Sequence, residues 1–383
     1  MTLATEAEHI ADELASVRAE GDQLRRLPDA AWKRLQETGV LRALQPKRWG
    51  GGEVHILEFF DALLTLSHAN PSAGWVAGVV GVHPWQLALF DDRAQHDLWG
   101  DDPATMHSSS YNPTGKAERV DGGYKVSGRW SFSSGCDHCR GVNLGAIVPG
   151  GDAPEFRSFL LLPDQYRIED NWHVAGLKGT GSKDIVVDET FVPDHRTQSH
   201  IDYAIGAPLP GQEQNDGTLY RLPWSVVFNM ALAASVLGAA RGFIDIWIGE
   251  TTNRVVAGAG RLADDPITQR RLADAMWDLD AAITVLRADM QTMWDMAEAR
   301  HTPAMADRAR ARWNMNRGCE RVATSIGELF RSASGRAVFL DHPLQTRFQD
   351  IQAGLGHAFL VPDPLAKAVG GELLGTSKPE LVL

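Results

Sequence analysis

The stretch Gly128-Arg129-Trp130-Ser131-Phe132-Ser133-Ser134-Gly135 decides how this 383-residue chain is read. Tyr124, Val126, Trp130 and Phe132 alternate with mostly polar neighbours, the period of a half-buried strand, and Ser133-Ser134-Gly135 is where such a strand turns. Backbone amides and short hydroxyls at a strand end can meet the edge of a flat heteroaromatic ligand, with Trp130 and Phe132 as apolar walls. Taken alone, the stretch is equally a plain strand and turn.

Working outward, period-two patterning with Gly and Pro punctuation runs from Thr105 to about Pro193 and predicts a β region. Within it Pro149-Gly150-Gly151-Asp152 and Pro163-Asp164 read as turns. From Asp184 to Val192 the pattern is a strand with one wet face. Toward the N-terminus, Ile10, Leu14 and Val17 recur at helical spacing between Ala4 and about Arg26. Pro28 opens a second helix over about Asp29 to Thr38. Gly50-Gly51-Gly52 interrupts, helical spacing returns over Val54 to Ser67, and Pro71 marks another start. Ala73 to Phe90 is apolar nearly all round, which predicts buried helix broken or kinked at Pro84. Gly74 and Gly78 there permit close approach of another backbone. His83 is a lone ionisable group among Val79, Val80, Val82 and Trp85, and is either a satisfied core residue or a catalyst.

Beyond the β region, Ala207 to Pro223 is a Gly/Pro/Asn/Asp-rich connection long enough to cover a pocket. Helical patterns follow over about Trp224 to Glu250, Pro266 to Arg300 and Pro303 to Ser332, then Thr346 to Val361 and Pro364 to Leu374. The expected class is α+β, mostly α: an N-terminal helical domain (1–104), a middle β domain (105–206) and a C-terminal helical bundle (207–383).

Hydrophobic residues at 44% and charged residues at 22% are those of an ordinary globular protein. A formal charge of −12 without a Lys/Arg run argues against nucleic acid. Three cysteines, Cys136, Cys139 and Cys319, make no disulfide framework and point to a reducing compartment. Cys136, His138 and Cys139 cluster, but no second pair completes a metal site, so no metal is expected. The N-terminus lacks a basic region followed by an apolar run, and no uninterrupted apolar stretch reaches the roughly 18 residues of a membrane span, so a cytoplasmic location is expected.

The chain has no Gly-x-Gly-x-x-Gly at a strand-to-helix turn, no P-loop and no His-Glu-x-x-His. With no nicotinamide-binding domain, a flavin enzyme built on this chain takes its electrons from its substrate or from another protein.

Four segments then carry a resemblance: Gly122-Gly123-Tyr124; Gly128 to Gly135; Gly176-Leu177-Lys178-Gly179-Thr180-Gly181-Ser182 with Val192-Pro193; and Pro343-Leu344-Gln345 followed by Asp350 and His357. In that order they resemble the acyl-CoA dehydrogenase fold. More narrowly, they resemble the oxygenase components of two-component flavin-dependent monooxygenases, of the 4-hydroxyphenylacetate and secosteroid phenol hydroxylase type. The resemblance implies hydroxylation of a phenolic or other aromatic substrate through a flavin C4a-hydroperoxide. It implies reduced FMN or FAD as cofactor, O2 as co-substrate, a separate NAD(P)H:flavin reductase as partner, and a homotetramer. It places His83 and Ser109 at the phenol oxygen, with Ser109 inside the run Ser108-Ser109-Ser110, and His357 with Ser134 near the flavin. Trp130, Ser133 and Ser134 then belong to the flavin-contacting strand. Arg261 is likened to an arginine that reaches the flavin phosphate across a subunit boundary, with Arg336 and Gln345 as weaker relatives of it. Tyr111 and Trp224, with Trp85 and Phe228, are candidate aromatic walls of the substrate pocket, or core residues.

On a helix, Asp350, Gly354 and His357 share one face, with Gly354 leaving room beside the imidazole. The Tyr-Glu-Gly-Thr type segment that carries the dehydrogenase base has no counterpart between Leu340 and Leu383. An N- or S-oxygenase of the same fold, an acyl-CoA dehydrogenase-like oxidoreductase and a non-catalytic helical scaffold remain the alternatives.

Overall fold

The computed structural model describes residues 2–150, 154–258 and 260–376. Gly151 and Asp152 of the expected turn lie outside them. The architecture is the expected α+β one: helices, then a sheet, then a helical bundle. The first predicted helix is three short pieces, Leu3–His9, Ala11–Ser16 and Arg18–Leu24, joined at Ile10 and Val17. Asn70 caps the Pro71–Gly81 helix by accepting from the Ala73 N–H at 3.2 Å, and Pro71 sits where a missing N–H is harmless. A Cβ on Gly74 would lie 2.6 Å from Ser67 Cα, so the glycine is what lets this helix touch the Ile56–Ala69 helix. The predicted break occurs at Val82, and Pro84 falls in the first turn of the short His83–Leu87 helix.

The sheet comprises β1 (Ser108–Val120), β2 (Gly123–Ser133), β3 (Val142–Val148), β4 (Glu155–Leu161), β5 (Arg167–Glu169), β6 (Lys183–Pro193) and β7 (Thr197–Ser199), in the order β5-β6-β2-β1-β3-β4-β7. All pairings are antiparallel except β1 with β3, which run parallel with Ser109 opposite Asn143. Tyr124, Val126, Trp130, Leu144, Phe159 and Ile185 belong to a core of the sheet's own. The N-terminal helices and the C-terminal bundle instead share a single core.

Trp224–Thr252 is the central helix of that shared core. It is long and apolar enough to cross a membrane, but 94% of its most apolar window is buried inside the protein. Asn229, on this helix, donates to Asn316 of the Met305–Ser332 helix at 2.6 Å. The 206–223 connection folds into two 3-10 turns, Pro210–Glu213 and Thr218–Arg221. With Tyr203, Trp224 and Arg308 they line a cavity of about 290 Å³.

Candidate active site

The parallel pairing of β1 and β3 decides which serine of the triple run faces the helices. Alternation along β1 puts Ser108 and Ser110 on one face, where Ser133 Oγ donates to Ser108 Oγ at 2.9 Å and Ser110 Oγ donates to the Ser131 carbonyl at 2.7 Å. His107, Ser109 and Tyr111 take the other face, joined by Asn143, which pairs with Ser109. Above that face the break at Val82 delivers His83 and Gln86 on the short His83–Leu87 helix. The His83 ring lies 5.1 Å from that of His107, 6.3 Å from Tyr111 and 5.6 Å from Phe228. The Tyr111 hydroxyl donates to the Gln86 side-chain carbonyl. Trp224 stacks on Phe228 at 4.4 Å and meets Tyr111 edge-on at 5.4 Å. His200 closes the far side against Trp224, its Nε2 bonded to Ser158 Oγ at 2.6 Å. Trp85 stands behind Phe228 and donates to the Leu219 carbonyl, a core position.

This buried cluster holds many polar atoms whose hydrogen bonds are unmet. Among the described residues no partner of good hydrogen-bond geometry meets His83 Nδ1, Gln86 Nε2, either ring nitrogen of His107, either amide atom of Asn143, His200 Nδ1, the Tyr203 hydroxyl or Trp224 Nε1, although Gln86 lies near enough to His83 and Tyr203, and Asn143 to Tyr111, to interact. Each such atom costs about 1–3 kcal/mol when buried without a partner. Their concentration in one place marks a site built for a polar ligand. Burial keeps the imidazoles neutral: His83 is pushed well below its usual value, with His107 adding to the effect, and His107 and His200 are both pushed down to about 3. Asn143, His107 and Gln86 were not singled out in the sequence. Asn143 had one signal, as the only hydrogen-bonding side chain in the otherwise apolar β3.

A second group lies where β2 ends. Between Trp130 and Ser133 the pairing of β2 with β6 is interrupted by a bulge, and Phe132 takes a left-handed φ of 71°. The alternation therefore breaks at Phe132, three residues before the quoted stretch ends. Trp130 turns into the sheet core, donates to the Gly145 carbonyl at 2.7 Å and covers Gly115, so it is a core residue and not a wall of the ligand shelf. Phe132 goes the other way and is 66% exposed, edge-on to Trp172 at 6.1 Å. Ser133 is fully buried behind it on Ser108, whereas Ser134 contacts Ser182 Oγ at 2.7 Å and accepts from Trp75 Nε1 at 3.2 Å.

His357 reaches the same place by a route other than the expected one. The Pro343–Leu355 helix stops short of it, and His357 caps the following 3-10 turn, with Nδ1 accepting from the Phe359 N–H at 3.1 Å. That bond assigns the ring proton to Nε2. Asp350 and Gly354 are not its helix-face neighbours. Gly354 makes room for Trp75, and the Asp350 carboxylate accepts from Leu177 N at 2.7 Å and pairs with Arg18 at 2.6 Å. Trp75 connects the two sides, with its ring 5.9 Å from that of His357 and its N–H on Ser134. Burial lowers the His357 imidazole to about 4.

An exposed aromatic at Phe132, an indole-anchored hydroxyl at Ser134 and the half-buried His357 fit the edge of a tricyclic flavin ring. Arg261 is not brought to this edge within one chain. It lies exposed on a small hairpin, 3.9 Å from Asp264. Arg336 is likewise exposed and Gln345 half-buried, and neither touches the group. His138 of the cysteine cluster stacks on Trp32 at 4.8 Å and bonds the Leu27 carbonyl, which engages its ring in packing.

Residues 230–362 match the family described as acyl-CoA dehydrogenase, C-terminal domain. The chain is 40% identical over 347 residues to the flavin-dependent monooxygenase, oxygenase subunit HsaA, of Rhodococcus jostii (strain RHA1), which covers 90% of this chain and 91% of that protein. It is 32% identical over 380 residues to the FADH(2)-dependent resorcinol hydroxylase, oxygenase component, of Rhizobium sp. (strain MTP-10005), covering 96% of this chain and 92% of that one. The crystal structure of 3-HSA hydroxylase from Rhodococcus sp. RHA1 superposes with a TM-score of 0.94 at 36% identity, over 100% of this chain and 99% of the other. The chain thus belongs to the oxygenase components of two-component flavin-dependent monooxygenases, enzymes on the acyl-CoA dehydrogenase fold that work with reduced flavin supplied by a reductase.

Proposed function

We propose that this oxygenase component hydroxylates a phenolic ring held in the chamber between His83 and Ser109. The observation that carries the reading is the convergence there of unpartnered buried polar atoms under the aromatic walls Tyr111, Trp224 and Phe228. Neutral His83 accepts a hydrogen bond from the phenol hydroxyl and the Ser109 hydroxyl positions the phenol oxygen, which makes the ring more electron-rich where oxygen is inserted. Reduced flavin, held by Ser134 and His357, would supply the two electrons needed for one atom of O2 to enter the ring and the other to leave as water. The His357 Nε2–H and the Ser134 hydroxyl hold polar atoms of the flavin edge, while Trp75 and Phe359 limit access of water. The same fold and the exposed run Val338-Phe339-Leu340, with Arg261 exposed nearer the start of the bundle, support a homotetramer in which Arg261 serves a neighbouring chain's flavin phosphate.

The test is turnover of phenols with a flavin reductase, NADH and O2, following product and hydrogen peroxide together. His83→Ala is expected to lower kcat/KM for the phenol by about 10²-fold, in the range for loss of a general base. His357→Ala and Ser134→Ala are expected to raise the share of O2 released as peroxide. Absence of any hydroxylated phenol, or a His83→Ala variant as efficient as the parent, defeats the proposal.

A further inference from the structure

The direction of every proton along the ladder behind Ser134 can be worked out, because its last acceptor is a carbonyl. The Leu177 carbonyl, which only accepts, is met by Thr180 Oγ1 at 2.8 Å and more distantly by the Thr180 N–H and Trp172 Nε1 at 3.2 Å each; the hydroxyl contact is the shortest of the three, so the single Thr180 hydroxyl proton is spent there. The 2.7 Å contact between Thr180 Oγ1 and Ser182 Oγ must then be donated by Ser182. That spends the Ser182 proton, and the 2.7 Å contact between Ser182 Oγ and Ser134 Oγ must be donated by Ser134. Trp75 Nε1, a donor without acceptor capacity, occupies one Ser134 lone pair at 3.2 Å. One lone pair is left on Ser134 for the ligand, and no proton.

The base of the ladder is held rigidly. Leu177 has a left-handed φ of 53°, a conformation costly for a branched side chain, and the buried Asp350 carboxylate keeps it there through the Leu177 N–H at 2.7 Å. Thr180, Ser182 and Ser134 are themselves buried, so water is a poor competitor for these bonds.

We infer that Thr180 and Ser182 are positioning residues that fix Ser134 as a hydrogen-bond acceptor, so that the site discriminates by redox state in favour of a ring presenting an N–H over one presenting a bare nitrogen. Reduced flavin carries a hydrogen on N5 and oxidised flavin carries a lone pair there. An acceptor-only Ser134 satisfies the first and opposes the second. The inference rests on the placement of Ser134 at the flavin edge proposed above, takes N5 as the edge atom that Ser134 meets, and goes beyond that placement by assigning the cause to two residues that do not touch the ring.

The test is anaerobic equilibrium binding of FMN and of dithionite-reduced FMN to the full-length protein, with the ratio of the two dissociation constants as readout. Thr180→Val frees the Ser182 proton to turn toward Ser134, whose own proton then points at the ring. The ratio of oxidised to reduced dissociation constants is expected to fall by roughly tenfold, the worth of one hydrogen bond reversed. Thr180→Ser restores it. Ser182→Ala, which removes the acceptor of the Ser134 proton, is expected to act in the same direction and serves if Thr180→Val does not fold. In a Ser134→Ala background the Thr180→Val change adds nothing, since the messenger is gone. If Ser134→Ala alters the ratio while Thr180→Val and Ser182→Ala leave it at the parental value, the ladder has no role and the inference fails. If Ser134→Ala alters the affinity for neither form, the placement of Ser134 at N5 is wrong and the inference falls with it.

Discussion

At the scale of single residues, the site consists largely of imidazoles held neutral by burial. His107 and His200 stand at about 3 and His357 at about 4, against an ordinary value of 6.5. Since the folded values are depressed, the unfolded chain binds protons between pH 6.5 and about 4 that the folded chain refuses. Stability is therefore complete above pH 6.5 and declines as the pH falls, by up to about 1.4 kcal/mol per pH unit for each histidine. His200→Gln removes one of these groups and leaves the carboxylates untouched. Its melting temperature is expected to fall less steeply than the parent's between pH 7 and 5, and parallel curves for the two proteins would refute the assignment. The grouping of Ser134 with His357 came from the family resemblance and not from local pattern; in the structure Trp75 lies between them, its ring 5.9 Å from that of His357 and its N–H on Ser134. Trp130 was misread because the bulge at Phe132 leaves no mark on alternation: both neighbours are aromatic, and only the backbone shows which one turns outward.

At the scale of elements, glycine governs how closely helices meet. A methyl at Gly74 would lie 2.6 Å from both the Cα and the N of Ser67, whereas one at Gly78 would lie 3.2 Å from the Ala231 carbonyl and Ser235 Oγ. Gly74→Ala gains about 1 kcal/mol in helix propensity but forces two backbones apart, at a cost in the upper part of the roughly 1–3 kcal/mol range for overpacking. Chemical denaturation should find Gly74→Ala less stable than the parent and Gly78→Ala close to it; equal stability of the two variants would contradict the close contact. The tight approach was predictable from the four-residue spacing of Gly74 and Gly78 in an apolar helix, as was the break at Pro84. The end of the helix before His357 was not, because the two glycines there, Gly354 and Gly356, also suit a continuous helix packed against an indole. The three-way division of the N-terminal helix at Ile10 and Val17 escaped for a related reason: its apolar spacing persists across both junctions.

At the scale of the whole molecule, three sequence regions make two main cores, because the N-terminal helices and the C-terminal bundle bury their apolar faces against each other while the sheet buries its own. What remains outside is concentrated. Val338, Phe339 and Leu340 are consecutive and 62–80% exposed, an apolar run that a monomer has no use for. Phe339→Glu is expected to shift the assembly toward smaller species in light scattering and to weaken flavin binding, given that Arg261 is proposed to serve a neighbour; an unchanged mass at the same concentration would remove this run from the interface. The bond from Leu177 to Asp350 spans 173 positions of chain. During synthesis, then, the Leu177 loop lacks this carboxylate until the Pro343–Leu355 helix has cleared the ribosome. A fragment that ends before Asp350 therefore has this loop without the carboxylate that accepts the Leu177 N–H.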